Sequence, residues 1–270
     1  MTNWPEKILL IGCGNMSGAI LARWLELGLP PERVTVIRPS GAAVADGVAV
    51  HTQLEGAVAP GTLVMLGMKP QQLASVASEA SALLGEGVTL VSILAGVPIK
   101  RLREAFPATG NIIRCMPNLP VRIGKGVCIL KSEGQGDHTL TSELFGGLGL
   151  VEWLDDEQLF DAATALAGCG PAFVYRFIDA LSVAGAHLGL DPAGAARMAL
   201  MTVEGAAISA SNCAQSPHAM ADAVASKGGM TREGLDILDR PDGLLALLSE
   251  TLKAASDRGA VLAALSNKAG

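Results

Sequence analysis

From residue 7 to about residue 130, short runs of branched and aliphatic residues alternate with segments whose apolar positions recur every three or four residues. That alternation predicts strands and helices in turn, hence an α/β fold with a parallel sheet covered by helices. The strands fall at 7–11, 33–37, 48–51, 63–67, 89–92, 111–115 and 127–130, and the helices at 16–27, 71–84 and 99–106, with Gly or Pro at their ends. After Val151-Glu152-Trp153-Leu154 the strand signal stops. Helical patterns then follow one another at 156–166, 172–188, 193–210, 217–225, 232–238 and 243–265. The expected division is therefore an α/β domain over 1–154 and an all-α domain over 155–270, with the boundary near Asp155.

Helix 193–210 offers only Arg197 and Glu204 over about five turns, so most of its circumference needs cover. A helical half of this size has little interior in which to hide it, and a second copy of the chain is the expected cover, making the protein an obligate homodimer. The composition agrees with a folded chain: hydrophobic residues are 50% and charged residues 17%. Mean hydropathy is +0.40, yet every apolar stretch is broken well short of the roughly 20 residues a bilayer requires. The longest, 172–190, holds Arg176, Asp179 and His187 and reads as a buried helix, so no membrane is expected. A net charge of −6 leaves no basic stripe for nucleic acid. Five cysteines without a C-x-x-C pair, and no charged leader ahead of an apolar segment, point to the cytoplasm.

Candidate chemistry gathers in the loops. Gly12-Cys13-Gly14-Asn15-Met16-Ser17 follows the first strand and opens the first helix, where a dinucleotide pyrophosphate meets a helix N-terminus. Ser17 stands in the slot of the third glycine, a small side chain that still permits helix-to-strand packing. At the end of the second strand, where a carboxylate would accept from the ribose hydroxyls of NAD, the chain reads Ile37-Arg38-Pro39-Ser40. Arg38 suits a 2′-phosphate and Ser40 adds a donor, which favours NADPH over NADH. Further loops at strand ends are Gly67-Met68-Lys69-Pro70-Gln71, Ser92-Ile93-Leu94-Ala95-Gly96-Val97-Pro98 and Arg114-Cys115-Met116-Pro117-Asn118-Leu119-Pro120. In the helical half, Ala167-Gly168-Cys169-Gly170-Pro171 reads as a helix start at a crowded contact. Ser226-Lys227-Gly228-Gly229-Met230-Thr231 presents consecutive backbone N–H groups and two hydroxyls, a cradle for a carboxylate. Four scattered histidines without ligand spacing give no metal centre, and no G-x-S-x-G elbow is present. Cys13 and Cys169 read as small fillers of glycine-rich turns.

In this order and spacing, the segments 12–16, 68–71, 95–97, 116–120, 164–172 and 226–231 resemble the pyrroline-5-carboxylate reductase family over nearly the whole chain. The resemblance implies a Rossmann domain followed by a helical dimerisation domain, dimers that assemble into larger rings, and NADPH-dependent reduction of 1-pyrroline-5-carboxylate to L-proline. It assigns Gly12, Cys13, Gly14, Asn15, Met16, Arg38 and Ser40 to the phosphates, and Met68, Lys69, Pro70, Ala95, Gly96 and Asn118 to the rest of the cofactor. Ser226, Gly228, Gly229 and Met230 fall to the substrate carboxylate, Thr231 to the ring nitrogen as the catalytic contact, and Glu157 to an acidic position near substrate. The chain departs from the family at Lys227 (usually Pro), Leu119 (usually Thr) and Cys169 (usually Ser), and no Asn marks the adenosine side, where His51, Gln53 and Leu54 stand. These departures keep open a reductase of another cyclic imine, and beside it a non-catalytic dinucleotide-binding paralogue.

Overall fold

A computed structural model describes residues 4–134 and 138–268, with side chains through residue 265. Two compact units form, one running through Cys169 and including the segment from Ala255 onward, the other spanning Gly170–Ala254.

The first unit is built on one sheet of β1 (Ile8–Ile11), β2 (Val34–Ile37), β3 (Ala49–His51), β4 (Leu63–Leu66), β5 (Thr89–Ser92), β6 (Asn111–Pro117), β7 (Gly126–Ser132) and β8 (Gly149–Trp153), in the spatial order β3-β2-β1-β4-β5-β6-β7-β8. All pairs are parallel except β6 with β7. Each expected strand has its counterpart, and the signal ending at Leu154 is an eighth. The antiparallel pair follows from connection length: eight residues between β6 and β7 cannot carry the crossover that a parallel pair needs. Between β7 and β8 there is room for a helix, and parallel pairing returns.

Helices cover both faces, as a parallel sheet requires. The central strands are accordingly buried throughout, with every residue of β1 and β4 inside. Ile8 and Leu10 face one core with Ile20, Trp24 and Phe145 from α1 (Asn15–Glu26) and α4 (Thr139–Gly146). Leu9 and Ile11 face the other with Leu73, Leu102 and Phe106 from α2 (Leu73–Ala80), α3 (Ile99–Ala105) and the turn after it. On the first face Trp24 Nε1 donates to the Leu144 carbonyl at 3.0 Å and its ring meets Phe145 edge-on, tying α1 to α4.

Two expected helices are less regular than their patterns. Residues 70–83 form α2 between two 3₁₀ turns. Residues 157–168 form a 3₁₀ turn, a short α5 (Phe160–Ala163) and a π turn, Thr164–Gly168, that runs into α6 (Gly170–His187). The π turn has an identifiable cause. The Asn118 side-chain amide takes the Ala167 carbonyl at 2.9 Å, and the Cys169 amide reaches back to the Thr164 carbonyl. Gly168 allows it, since a β-carbon there would stand 3.2 Å from the Thr164 methyl. Those contacts, with the buried Phe160, hold the turn against the sheet unit, which runs through Cys169.

The second unit contains α6, α7 (Pro192–Ser211), α8 (Pro217–Ala223), α9 (Met230–Leu238) and the first part of α10 (Leu244–Lys268). Small residues at the α6–α7 contact, Gly185 against Leu190 and Ala195, let the two helices approach closely. Within one chain only Ala195 and Ala199 of this unit are buried, and Phe177, Leu200, Met201, Ile208 and Leu247 are all exposed. An apolar surface this continuous marks an interface.

Candidate active site

In an open α/β sheet the ligand crevice lies at the carboxyl edge where strand order reverses. Here the chain adds β2 and β3 on one side of β1 and then crosses to β4 on the other, so the reversal falls between β1 and β4. Gly12 follows β1 and Gly67 follows β4. Gly12 adopts φ +84° while its amide donates to the Ile37 carbonyl at 2.8 Å, and a β-carbon on it would stand 2.6 Å from the Met68 nitrogen. The departure at Ser17 resolves here. Ser17 is fully buried, its hydroxyl points to the Gly67 carbonyl at 3.4 Å, and a β-carbon at residue 67 would lie 1.8 Å from that hydroxyl oxygen. Gly67 thus supplies the small residue that the third glycine slot lacks.

A cavity of about 710 Å³ opens at this point, lined by residues 12–16, 38–40 and 67–69. Gly14 precedes α1, whose first turn carries no acidic residue and whose leading amides have no intrahelical acceptors, the arrangement that receives a phosphate. A β-carbon on Gly14 would meet no protein atom nearer than 4.0 Å, so this side of the loop is open toward the cavity. Burial pushes the Cys13 thiol up, only partly offset by Arg38, which keeps it protonated at neutral pH and suits a filler. Arg38 is held by its backbone, donating to the His51 carbonyl at 2.9 Å. Among the described residues no carboxylate lies within ion-pair distance of its guanidinium, which is free for an anion beside Ser40. This donor set fits a dinucleotide with a 2′-phosphate.

The remaining walls are Ile11 and Ile37 at the strand ends and Thr52, Leu54, Gln72, Val76, Glu79 and Ala80, none of which the sequence singles out as a cofactor residue. Leu54 stands where the adenosine-side Asn was sought, and with Val76 and Ala80 makes an apolar side. The other expected cofactor residues lie elsewhere along the same edge. Pro70 and Ala95 line a neighbouring cavity of about 440 Å³ with Arg101 and Leu262. Gly96 packs against Leu262 of α10. Asn118 is buried with its amide committed, accepting from the Val127 nitrogen and donating to the Ala167 carbonyl, both at 2.9 Å. The Glu157 carboxylate accepts from Arg114 Nη1 and from the Ile99 amide, each at 3.0 Å, and does not line the larger cavity.

In the second unit, residues 224–229 connect α8 to α9, whose first two residues are Met230 and Thr231. The Gly229 amide donates to the Ser226 carbonyl at 2.9 Å, and a β-carbon on Gly229 would lie 2.6 Å from Ser226 Oγ. Gly229 directly precedes α9, so the leading amides of that helix open beside the Ser226 hydroxyl. One feature of this loop was not read from the sequence. Arg232, in the first turn of α9, hydrogen-bonds Asp222 of α8 and spans the base of the loop. The hydrogen bond from Arg232 holds the Asp222 carboxyl below its ordinary range, and Asp222 in turn raises Arg232.

Comparison with known proteins gives a consistent result. The family described as pyrroline-5-carboxylate reductase dimerisation matches residues 157–262, and the one described as NADP oxidoreductase coenzyme F420-dependent matches 7–96. A pyrroline-5-carboxylate reductase of Pseudomonas aeruginosa is 31% identical over 265 residues, covering 95% of this chain and 97% of its own. One from Glycine max is 34% identical over 257 residues, covering 92% and 93%. The solved structure of a pyrroline-5-carboxylate reductase from Coxiella burnetii superposes with a TM-score of 0.87 at 28% identity, covering 96% and 99%. That of Plasmodium falciparum pyrroline carboxylate reductase with NADP bound gives 0.80 at 25%, covering 95% and 98%.

Proposed function

Since the chain belongs to the pyrroline-5-carboxylate reductase family, we propose that its two units divide the family's reaction, the first holding the nucleotide and the second holding the imine. The protein is an oxidoreductase that reduces 1-pyrroline-5-carboxylate to L-proline at the expense of NADPH. The observation that carries the reading is the cavity between β1 and β4, with free helix amides at one end and the unpaired Arg38 at the other.

In this reading the backbone from Gly12 to Met16 receives the pyrophosphate, and Arg38 with Ser40 receives the 2′-phosphate. Met68, Lys69, Pro70, Ala95 and Gly96 continue the binding edge toward the nicotinamide, with Asn118 bracing the β6 end from beneath. Bound NADPH supplies the hydride. Ser226 and the backbone of Gly228, Gly229 and Met230 take the substrate carboxylate, and the Thr231 hydroxyl orients the ring nitrogen. A protonated imine is the better acceptor, because its positive charge draws electron density from the carbon, and solvent provides that proton before binding. The chain needs no strong acid or base of its own: its contribution is orientation.

The protein is a homodimer, joined through the apolar faces that the second unit leaves exposed. Closure of dimers into a larger ring is the finer proposal, which a native mass measurement decides. Five unpaired cysteines support a cytoplasmic location, and no helix among the described residues is long and apolar enough to cross a membrane.

The direct test is product analysis. Purified protein with NADPH and 1-pyrroline-5-carboxylate is expected to form L-proline in step with NADPH oxidation. NADPH binding without oxidation on this or any other cyclic imine would leave a dinucleotide-binding protein and overturn the reading.

A further inference from the structure

The sheet unit contains a charged cluster around a buried arginine that the cofactor cavity does not use. Arg114, on β6, is 4% exposed; its guanidinium lies over the Phe160 ring at 3.8 Å, bonds Glu157 at 3.0 Å and reaches Asp161 at 3.8 Å. Burial lowers Arg114's proton affinity, and the two carboxylates offset that only in part. A cation this buried is tolerated only with partners, and removing one partner is strongly destabilising. Its cost therefore asks for a purpose.

The purpose is visible at the other side of Glu157. The loop after β5 carries Ala95 and Gly96 and ends at α3, whose N-cap is Pro98 and offers no side-chain acceptor. The first orphan amide of that helix, Ile99 N–H, is taken instead by the same Glu157 oxygen that Arg114 holds. At its start the loop is fixed by the buried Ser92, whose hydroxyl accepts from the Leu94 amide at 3.3 Å; Ser92 pairs with Arg114 in the β5–β6 register. From above, α10 closes on it. A β-carbon on Gly96 would stand 3.1 Å from Leu262, and one on Gly259, a turn earlier, 3.0 Å from Asp161. Loop, helix start and α10 thus converge on one ion-paired cluster.

We infer that Glu157 is a positioning residue for the reduction: held by Arg114, it anchors the Ile99 amide and so fixes the Ala95–Gly96 loop against which the nicotinamide rests. The inference rests on the proposed reading of that loop as the nicotinamide end. Glu157 then acts through the loop and not by touching substrate. A loop displaced by about 1 Å is expected to slow hydride transfer by up to a hundredfold.

The test compares Glu157→Leu, Glu157→Gln and, as a control for loss of an ion pair elsewhere on α3, Glu133→Gln, whose carboxylate bonds Arg103. Each is measured by hydrogen exchange of the nucleotide-free protein, by NADPH affinity, and by single-turnover hydride transfer with protiated and C4-deuterated NADPH. Glu157→Leu should speed exchange across 94–99, lower the transfer rate on the order of tenfold to a hundredfold, and leave the imine KM within about twofold. Glu157→Gln should recover most of the rate, because its amide oxygen still accepts from Ile99. Glu133→Gln should change neither the loop nor the rate. If Glu157→Leu does not fold, the double variant Arg114→Met with Glu157→Leu removes the unpaired buried charge together with the acceptor, and it should show the same faster exchange and slower transfer. A raised imine KM with an unchanged transfer rate would overturn the inference in favour of direct substrate contact. Unchanged exchange and rate in Glu157→Leu, or in the folded double variant, would overturn it as well. A wild-type protein that turns over no imine, with the exchange results intact, would sink the proposed function and spare the anchor.

Discussion

Placing a methyl group at residue 67 should damage the nucleotide loop, and removing the Ser17 side chain should repair part of the damage. Gly67 lies where the β4 strand end meets α1. A β-carbon there would stand 1.8 Å from Ser17 Oγ, 3.0 Å from Ser17 Cβ and 2.9 Å from the Gly12 carbonyl oxygen. Ser17 is fully buried, so its hydroxyl has nowhere to swing, and the strain passes to the loop that carries Gly12. Overpacking of this kind costs roughly 1–3 kcal/mol. For a chain of this size about 2 kcal/mol lowers Tm by roughly 4–8 °C. If the shift of Gly12 transmits most of that to the bound phosphate, Gly67→Ala should weaken NADPH by about tenfold, or ~1.4 kcal/mol.

Ser17→Gly by itself should be mild, at about 0.5 kcal/mol of helix propensity, since its 3.4 Å hydrogen bond is long and weak. In the double variant both Ser17 contacts disappear while the approach to Gly12 persists. It should therefore recover part of both Tm and affinity, with a favourable coupling of about 1 kcal/mol. The assay is thermal denaturation at one fixed protomer concentration, together with titration of NADPH fluorescence. A Gly67→Ala protein indistinguishable from wild type, or a double variant no better than Gly67→Ala, would refute the claim that these two residues share the third glycine's place.

Other expectations follow from the same geometry. Arg38→Asp should weaken NADPH by roughly ten- to a hundredfold, the worth of a charge-assisted phosphate contact, and leave NADH within about twofold; equal losses on both cofactors would remove Arg38 from the 2′-phosphate. Gly229→Val places atoms against Ser226 Oγ and should raise the imine KM with NADPH affinity unchanged, whereas an unaltered KM would take the substrate off this loop. The Asp222–Arg232 link has a defined pH response: with the Asp222 carboxyl held low, its stabilisation is present at neutral pH and is lost as pH falls through the depressed folded-state value. Wild type and Asp222→Asn should accordingly differ most in Tm near neutrality and converge below roughly pH 4; a constant difference down to pH 3 would contradict the pairing.

Most of the sheet unit was legible because parallel strands buried on both faces are continuous apolar runs, as in Leu63 to Leu66, and their helices carry the complementary period. The reversal of β7 was not written in any side chain; it lies in the shortness of the link from Pro117 to Gly126. The phosphate loop and Arg38 were legible because their chemistry is local. Ser17 looked like a departure since its compensating glycine is fifty residues away, although a glycine directly after β4 was there to be noticed. Asn118 is a case in which the surroundings were not legible. Its amide is an apt ligand donor by type, yet burial spends it on two backbone groups. Arg114 was hidden inside an apolar strand sequence, and its partners lie more than forty residues on. The cavity walls Leu54, Val76 and Ala80 carry no chemistry that a sequence could single out.

The central claim is that this chain uses the 2′-phosphorylated nucleotide to reduce a five-membered cyclic imine held at Ser226 to Thr231. The measurement that tests it most directly is turnover followed by nicotinamide absorbance in a two-by-two design, NADPH against NADH and 1-pyrroline-5-carboxylate against its six-membered homologue. By far the highest kcat/KM is expected for NADPH with the five-membered ring. A preference for the larger ring would move the substrate assignment to the departures at Lys227 and Leu119, and a preference for NADH would contradict the role given to Arg38.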